Sequence, residues 1–224
     1  MDGTGNLFAD FIEALPSDIE ATVLRYPTDR IQSFAQLLRF LESSLPTSAP
    51  FVLVAESFSA PLAIQWAATG KTNLKGLAIC AGFATSPLRG WLKRLCLLLS
   101  PICFLIQPPD IVIRDYLVGS VASKSLVAAV KAAIGSVSHG VLVHRLRLTL
   151  ACDSRLALSK VRAPILFIQP TQDKLINFAC LEEMRDIRPE AAVELIPGPH
   201  LLLQARARES AKVIGKYVRQ FSTG

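Results

Sequence analysis

The 224-residue chain is long enough for one domain with a large buried core, and its composition, 51% hydrophobic and 19% charged, excludes an intrinsically disordered protein. The formal net charge of +6 comes from Lys and Arg residues that are spread along the chain without an aromatic-rich basic stripe, so we expect no nucleic-acid partner. The five irregularly spaced cysteines include no C-x-x-C pair, which excludes a disulfide framework or a zinc site as an interpretation and favours a reducing cytoplasm.

Short apolar runs along the chain have the character of strands. They are continuous rather than alternating, which is typical of strands that are buried on both faces of a parallel sheet. The predicted strands are residues 21–26 (ATVLRY), 51–55 (FVLVA), 74–80 (LKGLAIC), 164–169 (PILFIQ) and 192–196 (AVELI).

Helical patterns lie between these strands. Apolar residues recur there at spacings of three and four, which predicts amphipathic helices at residues 31–45, 61–68, 178–187 and 209–221. Because strands alternate with helices, the sequence predicts an α/β fold with a mostly parallel sheet that is flanked by helices.

One long segment interrupts this alternation. Residues 87–160 contain three further helical patterns, and we interpret them as a helical cap on a single domain whose core comprises residues 1–86 and 161–224. Within the cap, residues 95–106 (LCLLLSPICFLI) form the most apolar stretch of the chain. This run is too short to span a bilayer and contains Pro101, so we expect no stable membrane insertion but a buried or interfacial segment. We also expect it to line a pocket above the site described next.

A serine follows the clearest strand. The segment Ala55-Glu56-Ser57-Phe58-Ser59 lies between strand FVLVA and a helix, where a sharp turn would expose the Ser57 hydroxyl above the sheet. Small residues are needed two positions before and two after this serine, and Ala55 and Ser59 stand where glycine is usual. By itself the pattern is equally compatible with a serine that caps the helix.

Two other polar residues follow later strands. Asp173 comes just after PILFIQ, and His200 comes just after AVELI. Catalytic groups in open α/β sheets gather at the carboxyl ends of the strands, so we expect these side chains to meet Ser57 there. The chain order Ser, Asp, His is also that of the triad in α/β-hydrolases.

Four segments of the sequence resemble the α/β-hydrolase superfamily, in its small esterase/thioesterase-like branch. They are MDGTGNLFADFIEALP, VLVAESFSAPLAIQWA, ILFIQPTQDKLI and IPGPHLLLQ, and the resemblance is weakest across the cap. It implies a serine hydrolase in which Ser57 is the nucleophile, His200 the base and Asp173 the acid that orients the base. It also implies an oxyanion hole formed by the backbone N–H of Phe58 and by a second N–H from the loop at Met1.

Other residues near these positions have weaker interpretations. Asp153 is the alternative acid, although we expect it to start a short helix. Glu56 either tunes the neighbouring nucleophile or faces solvent. Asp2 would help to shape the oxyanion loop, and Gly3 and Gly5 would provide its turns.

The beginning of the chain departs from the family pattern. Family members carry strands before the oxyanion loop, whereas this sequence starts at the loop itself. We therefore expect an N-terminally shortened version of a longer protein, with a gap in the sheet between ATVLRY and FVLVA.

Three functions are compatible with the sequence. The first is hydrolysis of a carboxylic ester or thioester with an apolar acyl or alcohol group, without a cofactor or metal. The second is acyl transfer by the same triad. The third is a non-catalytic protein of the same fold that binds a ligand or partner, which the non-glycine turn around Ser57 would favour.

Overall fold

Four parallel strands form the centre of the molecule. In this computed structural model, which describes residues 1–221, the strands lie side by side in the order in which they occur in the chain. They are β1 (Phe51–Glu56), β2 (Leu74–Cys80), β3 (Ile165–Pro170) and β4 (Ala192–Ile196). The predicted parallel sheet is thereby confirmed, and the four strands match their predicted positions to within one residue at each end.

Alternate side chains of the sheet pack into two separate apolar layers. Leu77 and Ile79 of β2 face one layer, whereas Ala78 and Cys80 face the other. The first layer is closed by α2 (Phe34–Ser44), α3 (Ser59–Ala67), α8 (Arg155–Leu158) and α9 (Phe178–Ile187). The second is closed by α1 (Ala9–Glu13), α10 (Leu202–Ala205) and α11 (Ala207–Arg219). Burial on both faces explains why the strands are continuously apolar in sequence.

The helical insertion lies between β2 and β3. Its helices are α4 (Gly90–Cys103), α5 (Asp110–Ile113), α6 (Lys124–Gly135) and α7 (His139–Ala151), with a π-helical turn at Arg114–Val118. We keep the name cap for residues 87–160, whose last helix, α8, packs in the first core layer. The cap has its own small apolar cluster, in which Ile113, Val118 and Val127 pack against Leu201 of the core. It therefore contacts the segment that follows His200.

The first predicted strand is wrong. Residues 21–26 form no strand, and the N–H of Tyr26 donates to the carbonyl oxygen of Gly3 at 2.8 Å. A strand needs a neighbouring ladder, and within the described residues β1 pairs with β2 alone. Residues 21–26 instead form a loop in which half of the residues are exposed and which ends in the buried ring of Tyr26.

The apolar run of the cap is not buried, and it does not line the pocket that was expected above Ser57. Leu98 is 75% exposed and Ile106 is 81% exposed, so most of the run forms surface. The end of the run lines a cavity of about 190 Å³, but the other walls of this cavity are cap residues and Ser57 is not among them. Among residues 1–221 no single helix is long and apolar enough to cross a bilayer. Helices α6 and α7 would reach that length and hydropathy only as a pair, across a bend of 97°.

Candidate active site

Ser57 lies in the tight turn between β1 and α3 and has an unusual backbone conformation. Its φ of 54° is in the left-handed region, which costs a residue with a side chain about 1–3 kcal/mol. The Ser57 N–H donates to the carbonyl oxygen of Cys80 at 3.0 Å, and the Ser57 carbonyl accepts from the Ala60 N–H at 2.9 Å. The sharp turn between a strand and a helix is as the sequence pattern predicted, and these contacts attach it both to the end of β2 and to the start of α3.

His200 follows β4 and is almost fully buried. Its Nε2 lies 2.8 Å from the Oγ of Ser57, and its Nδ1 lies 2.8 Å from Oδ2 of Asp173. An ionised carboxylate can only accept a hydrogen bond, so Nδ1 carries the proton and Nε2 is left as the acceptor for the serine hydroxyl. The structure thus brings together the three side chains that were predicted to meet at the carboxyl ends of β1, β3 and β4.

The carboxylate of Asp173 is fixed by its own loop. Its Oδ1 accepts hydrogen bonds from the backbone N–H groups of Leu175 at 2.8 Å and Ile176 at 2.9 Å, while Oδ2 faces His200. The side chain is nearly inaccessible to solvent. Three donors around one carboxylate hold it in one orientation, so this group can orient the imidazole.

The alternative acid, Asp153, lies elsewhere. Its carboxylate is paired with the guanidinium of Arg155 at 2.6 Å, and more than half of the side chain is exposed. The hydrogen bond from Arg155 holds the pKa of Asp153 below its usual value. As predicted, Asp153 precedes a short helix, because its Oδ1 accepts from the backbone N–H of Arg155 at the start of α8.

Glu56, beside the nucleophile, does not simply face solvent. Its carboxylate accepts hydrogen bonds from the backbone N–H of Leu203 at 3.2 Å and from the side-chain amide of Gln204 at 2.9 Å. Burial raises the pKa of Glu56, although these two donors act in the opposite direction. Since Leu203 and Gln204 lie just after His200, Glu56 ties the turn that carries Ser57 to the helix that follows the imidazole.

The predicted oxyanion donors lie on two segments. The backbone N–H of Phe58 immediately precedes α3, where the first N–H groups of a helix have no intrahelical acceptor. The loop at Met1 is held by Arg145 of the cap, whose Nη1 donates to the carbonyl oxygens of Met1 at 2.9 Å and Asp2 at 2.7 Å. The two segments are linked, since the guanidinium also lies 5.9 Å from the centre of the buried Phe58 ring.

The glycine of this loop is required by its surroundings. Gly3 has a φ of 70°, and a Cβ at this position would come within 2.8 Å of the Arg145 guanidinium and 3.0 Å of Tyr26. The predicted turn role of Gly3 and Gly5 is confirmed by their positive φ values. Asp2 shapes the same loop, because its Oδ1 accepts from the N–H and the hydroxyl of Thr4.

The sequence analysis missed two contributors to this site. Arg145 was grouped with the scattered basic residues, yet it is only 2% exposed and also donates to the carbonyl oxygen of Pro27 at 2.8 Å. Its position offered a signal, since it shares one helical face with the apolar Val141 and Leu142 and the buried Thr149. Gln204 offered no such signal, because its partner Glu56 is 148 residues away in sequence.

Within the described part of the chain, no cluster of His, Cys, Asp or Glu could hold a metal ion.

Comparison with known proteins gives similarities of structure rather than of sequence. No protein-family model matches the chain, and neither does any curated protein. A hydrolase from Oleispira antarctica has a TM-score of 0.77 at 13% identity, over 99% of this chain and 87% of that one. A thermophilic esterase from Thermogutta terrifontis has a TM-score of 0.76 at 17% identity, over 97% and 86%. A lipase-esterase related protein from Clostridium acetobutylicum has a TM-score of 0.75 at 13% identity, over 96% and 91%.

Proposed function

We propose that this chain, which has the α/β-hydrolase fold, is a serine hydrolase that cleaves a carboxylic ester or thioester through an acyl-enzyme. The observation that carries the proposal is the pair of 2.8 Å contacts that join Ser57 to His200 and His200 to Asp173. Such a chain of donors and acceptors activates an otherwise weak hydroxyl nucleophile.

In the first half of the reaction, Oγ of Ser57 attacks the carbonyl carbon while Nε2 of His200 takes the hydroxyl proton. The backbone N–H of Phe58 and an N–H of the Met1 loop would stabilise the negative charge on the former carbonyl oxygen. When the tetrahedral intermediate collapses, the proton on Nε2 passes to the departing alcohol or thiol and the acyl group stays on Ser57. Water, deprotonated in turn by His200, then releases the carboxylic acid and regenerates the serine.

An apolar acyl or alcohol group fits the surroundings of His200 best. The residue after it, Leu201, donates its N–H to the carbonyl oxygen of Leu117 at 2.8 Å and packs in the cap cluster with Ile113 and Val118. Apolar cap side chains therefore adjoin the segment that bears the base. Burial of apolar substrate carbons stabilises a complex by roughly 0.8 kcal/mol per CH₂, so p-nitrophenyl esters of increasing chain length should be cleaved with increasing kcat/KM.

The direct test is labelling with a fluorophosphonate probe, which reacts only with an activated serine. The wild type should be labelled and should hydrolyse p-nitrophenyl esters, and Ser57→Ala should lose both properties, with a fall in kcat of about 10⁶-fold. The matched control is Ser59→Ala in the same turn, which removes a hydroxyl that is hydrogen-bonded to Tyr26. A wild type that resists the probe would support a non-catalytic ligand-binding protein, and full labelling of Ser57→Ala would move the nucleophile elsewhere.

A further inference from the structure

Helix α4 presents its apolar residues outwards. The side of the helix that faces the protein carries Lys93, Cys96, Leu97 and Ser100, and Ser100 is fully buried, where its hydroxyl accepts from Nε of Arg147 of α7 at 3.0 Å. The opposite side carries large apolar residues, all of them substantially exposed: Trp91, Leu92, Leu95, Leu98, Leu99 and Ile102. An ordinary surface helix has the reverse arrangement, with its apolar stripe towards the core.

The exposed apolar surface continues beyond α4. The next residues along the chain include Leu105, 66% exposed, and Ile106. Soluble monomers commonly expose apolar patches of about a few hundred Å², and larger ones mark protein or membrane contacts. The outer face of α4 is defined here as the six residues named above together with Leu105 and Ile106, each of which is at least 40% exposed. Eight large apolar side chains that are exposed along one continuous segment are a candidate for such a contact surface.

The charge of the molecule is concentrated in the same region. The cap holds ten Lys and Arg residues and three Asp and Glu residues, a net charge of +7, whereas the rest of the chain has 14 basic and 15 acidic residues. No acidic residue occurs between Glu56 and Asp110, so none lies on α4. Arg94 is exposed on α4 beside the outer face, and Arg89, which is paired with Glu183 at 3.2 Å, immediately precedes the helix.

We propose that the outer face of α4 docks onto the surface of an anionic phospholipid bilayer. Leucine and tryptophan side chains on one face of a helix, with basic residues near them, are the composition of helices that lie in the bilayer interface. A second copy of this chain is a poorer occupant, because two caps of net charge +7 would repel each other at close range. An anionic bilayer complements both the apolar face and the charge.

Trp91 gives this docking a built-in reporter. The chain has two tryptophans, of which Trp91 is 70% exposed on the outer face of α4 and Trp66 is buried in the core. On binding to vesicles of equimolar phosphatidylcholine and phosphatidylglycerol, the emission of Trp91 should shift to shorter wavelength. The same shift should persist in Trp66→Phe, in which Trp91 is the remaining tryptophan.

The decisive variant is Leu98→Glu, and its matched control is Leu156→Glu of α8. Leu156 is exposed to a similar extent, 71%, but lies on a helix that packs against α3 and α9. Vesicle co-flotation of the full chain should weaken about tenfold or more in Leu98→Glu and stay unchanged in Leu156→Glu. Binding should also weaken with added salt and be weaker on pure phosphatidylcholine vesicles. Ser57→Ala should bind as the wild type does, so failure of the proposed hydrolase activity would leave this result intact.

Three results would overturn the docking surface. The first is absence of co-flotation by the wild type with anionic vesicles. The second is equal binding by wild type and Leu98→Glu. The third is a concentration-dependent dimer that Leu98→Glu dissociates in the absence of any vesicle binding, which would make the face an interface between copies of the chain.

Discussion

The sheet and the cap use apolar residues in opposite ways. Leu77 and Ile79 of β2 are fully buried in the first apolar layer, whereas Leu98 and Ile102 of α4, in an equally apolar run, face outwards. In α4 it is the polar Ser100 that is buried. An apolar run in the sequence therefore does not show that the segment is buried within the same chain.

The two regions also divide the candidate site unequally. The three reactive side chains come from the ends of core strands, and the cap contributes Arg145, which holds the backbone at Met1 and Asp2. On this division the core performs the proposed chemistry and the cap positions a loop beside it. Substitutions in matched pairs can break or sharpen this contrast.

The largest difference is expected between the two candidate acids. Asp173→Asn should lower kcat for p-nitrophenyl esters by about 10⁴-fold, because an amide in place of the carboxylate stabilises the wrong tautomer of His200. Asp153→Asn, in the loop before α8, should change kcat little, since the carboxylate of Asp153 is paired with Arg155. Steady-state kinetics of both purified variants checks this, and the opposite ranking would reassign the orienting acid.

A smaller difference is expected between two leucines. Leu77→Ala removes a fully buried side chain from β2 and should lower the free energy of unfolding by about 2–5 kcal/mol. Leu98→Ala should change it by less than about 0.5 kcal/mol, because that side chain is 75% exposed. Urea denaturation of both variants makes the comparison. A large loss in Leu98→Ala would mean that α4 belongs to the core after all.

The smallest effect is expected for the cap's contribution to the site. Arg145→Met keeps the length of the side chain but removes its hydrogen bonds to the loop, so kcat should fall about 10- to 100-fold with little change in KM. Arg147→Met, two residues further along α7, loses the hydrogen bond to Ser100 and should keep its kcat. If Arg145→Met retains full activity but unfolds more readily, its role is structural and the loop has no part in the reaction.

Local patterns in the sequence predicted most of the core. The four strands of the sheet are continuous apolar runs that are bounded by turns, and α9 was predicted at its observed bounds because its apolar residues recur at helical spacing. Ser57 followed from the pattern of a strand, a sharp turn and a helix, whereas Asp173 and His200 followed from the rule that reactive groups collect where parallel strands end. These features depend on short stretches of sequence and on a common topology.

What the sequence did not predict depends on partners that are distant along the chain. Residues 21–26 have the composition of a strand but pair with no strand of the sheet, so they form a loop. The orientation of α4 could not be derived from its helical period, since both of its faces contain leucine. The helical face of Arg145 suggested that it is buried, but its acceptors could not be predicted, because they are backbone carbonyls more than a hundred residues earlier in the chain.

The position of the cap has a consequence for how the molecule folds. Strands β2 and β3 are neighbours in the sheet, yet residues 81–164 separate them in sequence. The equilibrium cost of closing so long a loop is modest, because each doubling of loop length adds only about 0.6 kcal/mol. Its kinetic cost is larger, since pairing between distant segments slows folding. Until the cap has collapsed, β2 has an open edge towards β3, and the outward leucines of α4 are available to other unfolded chains. The refolding yield should therefore fall as the protein concentration rises, even though the folded sheet is stable.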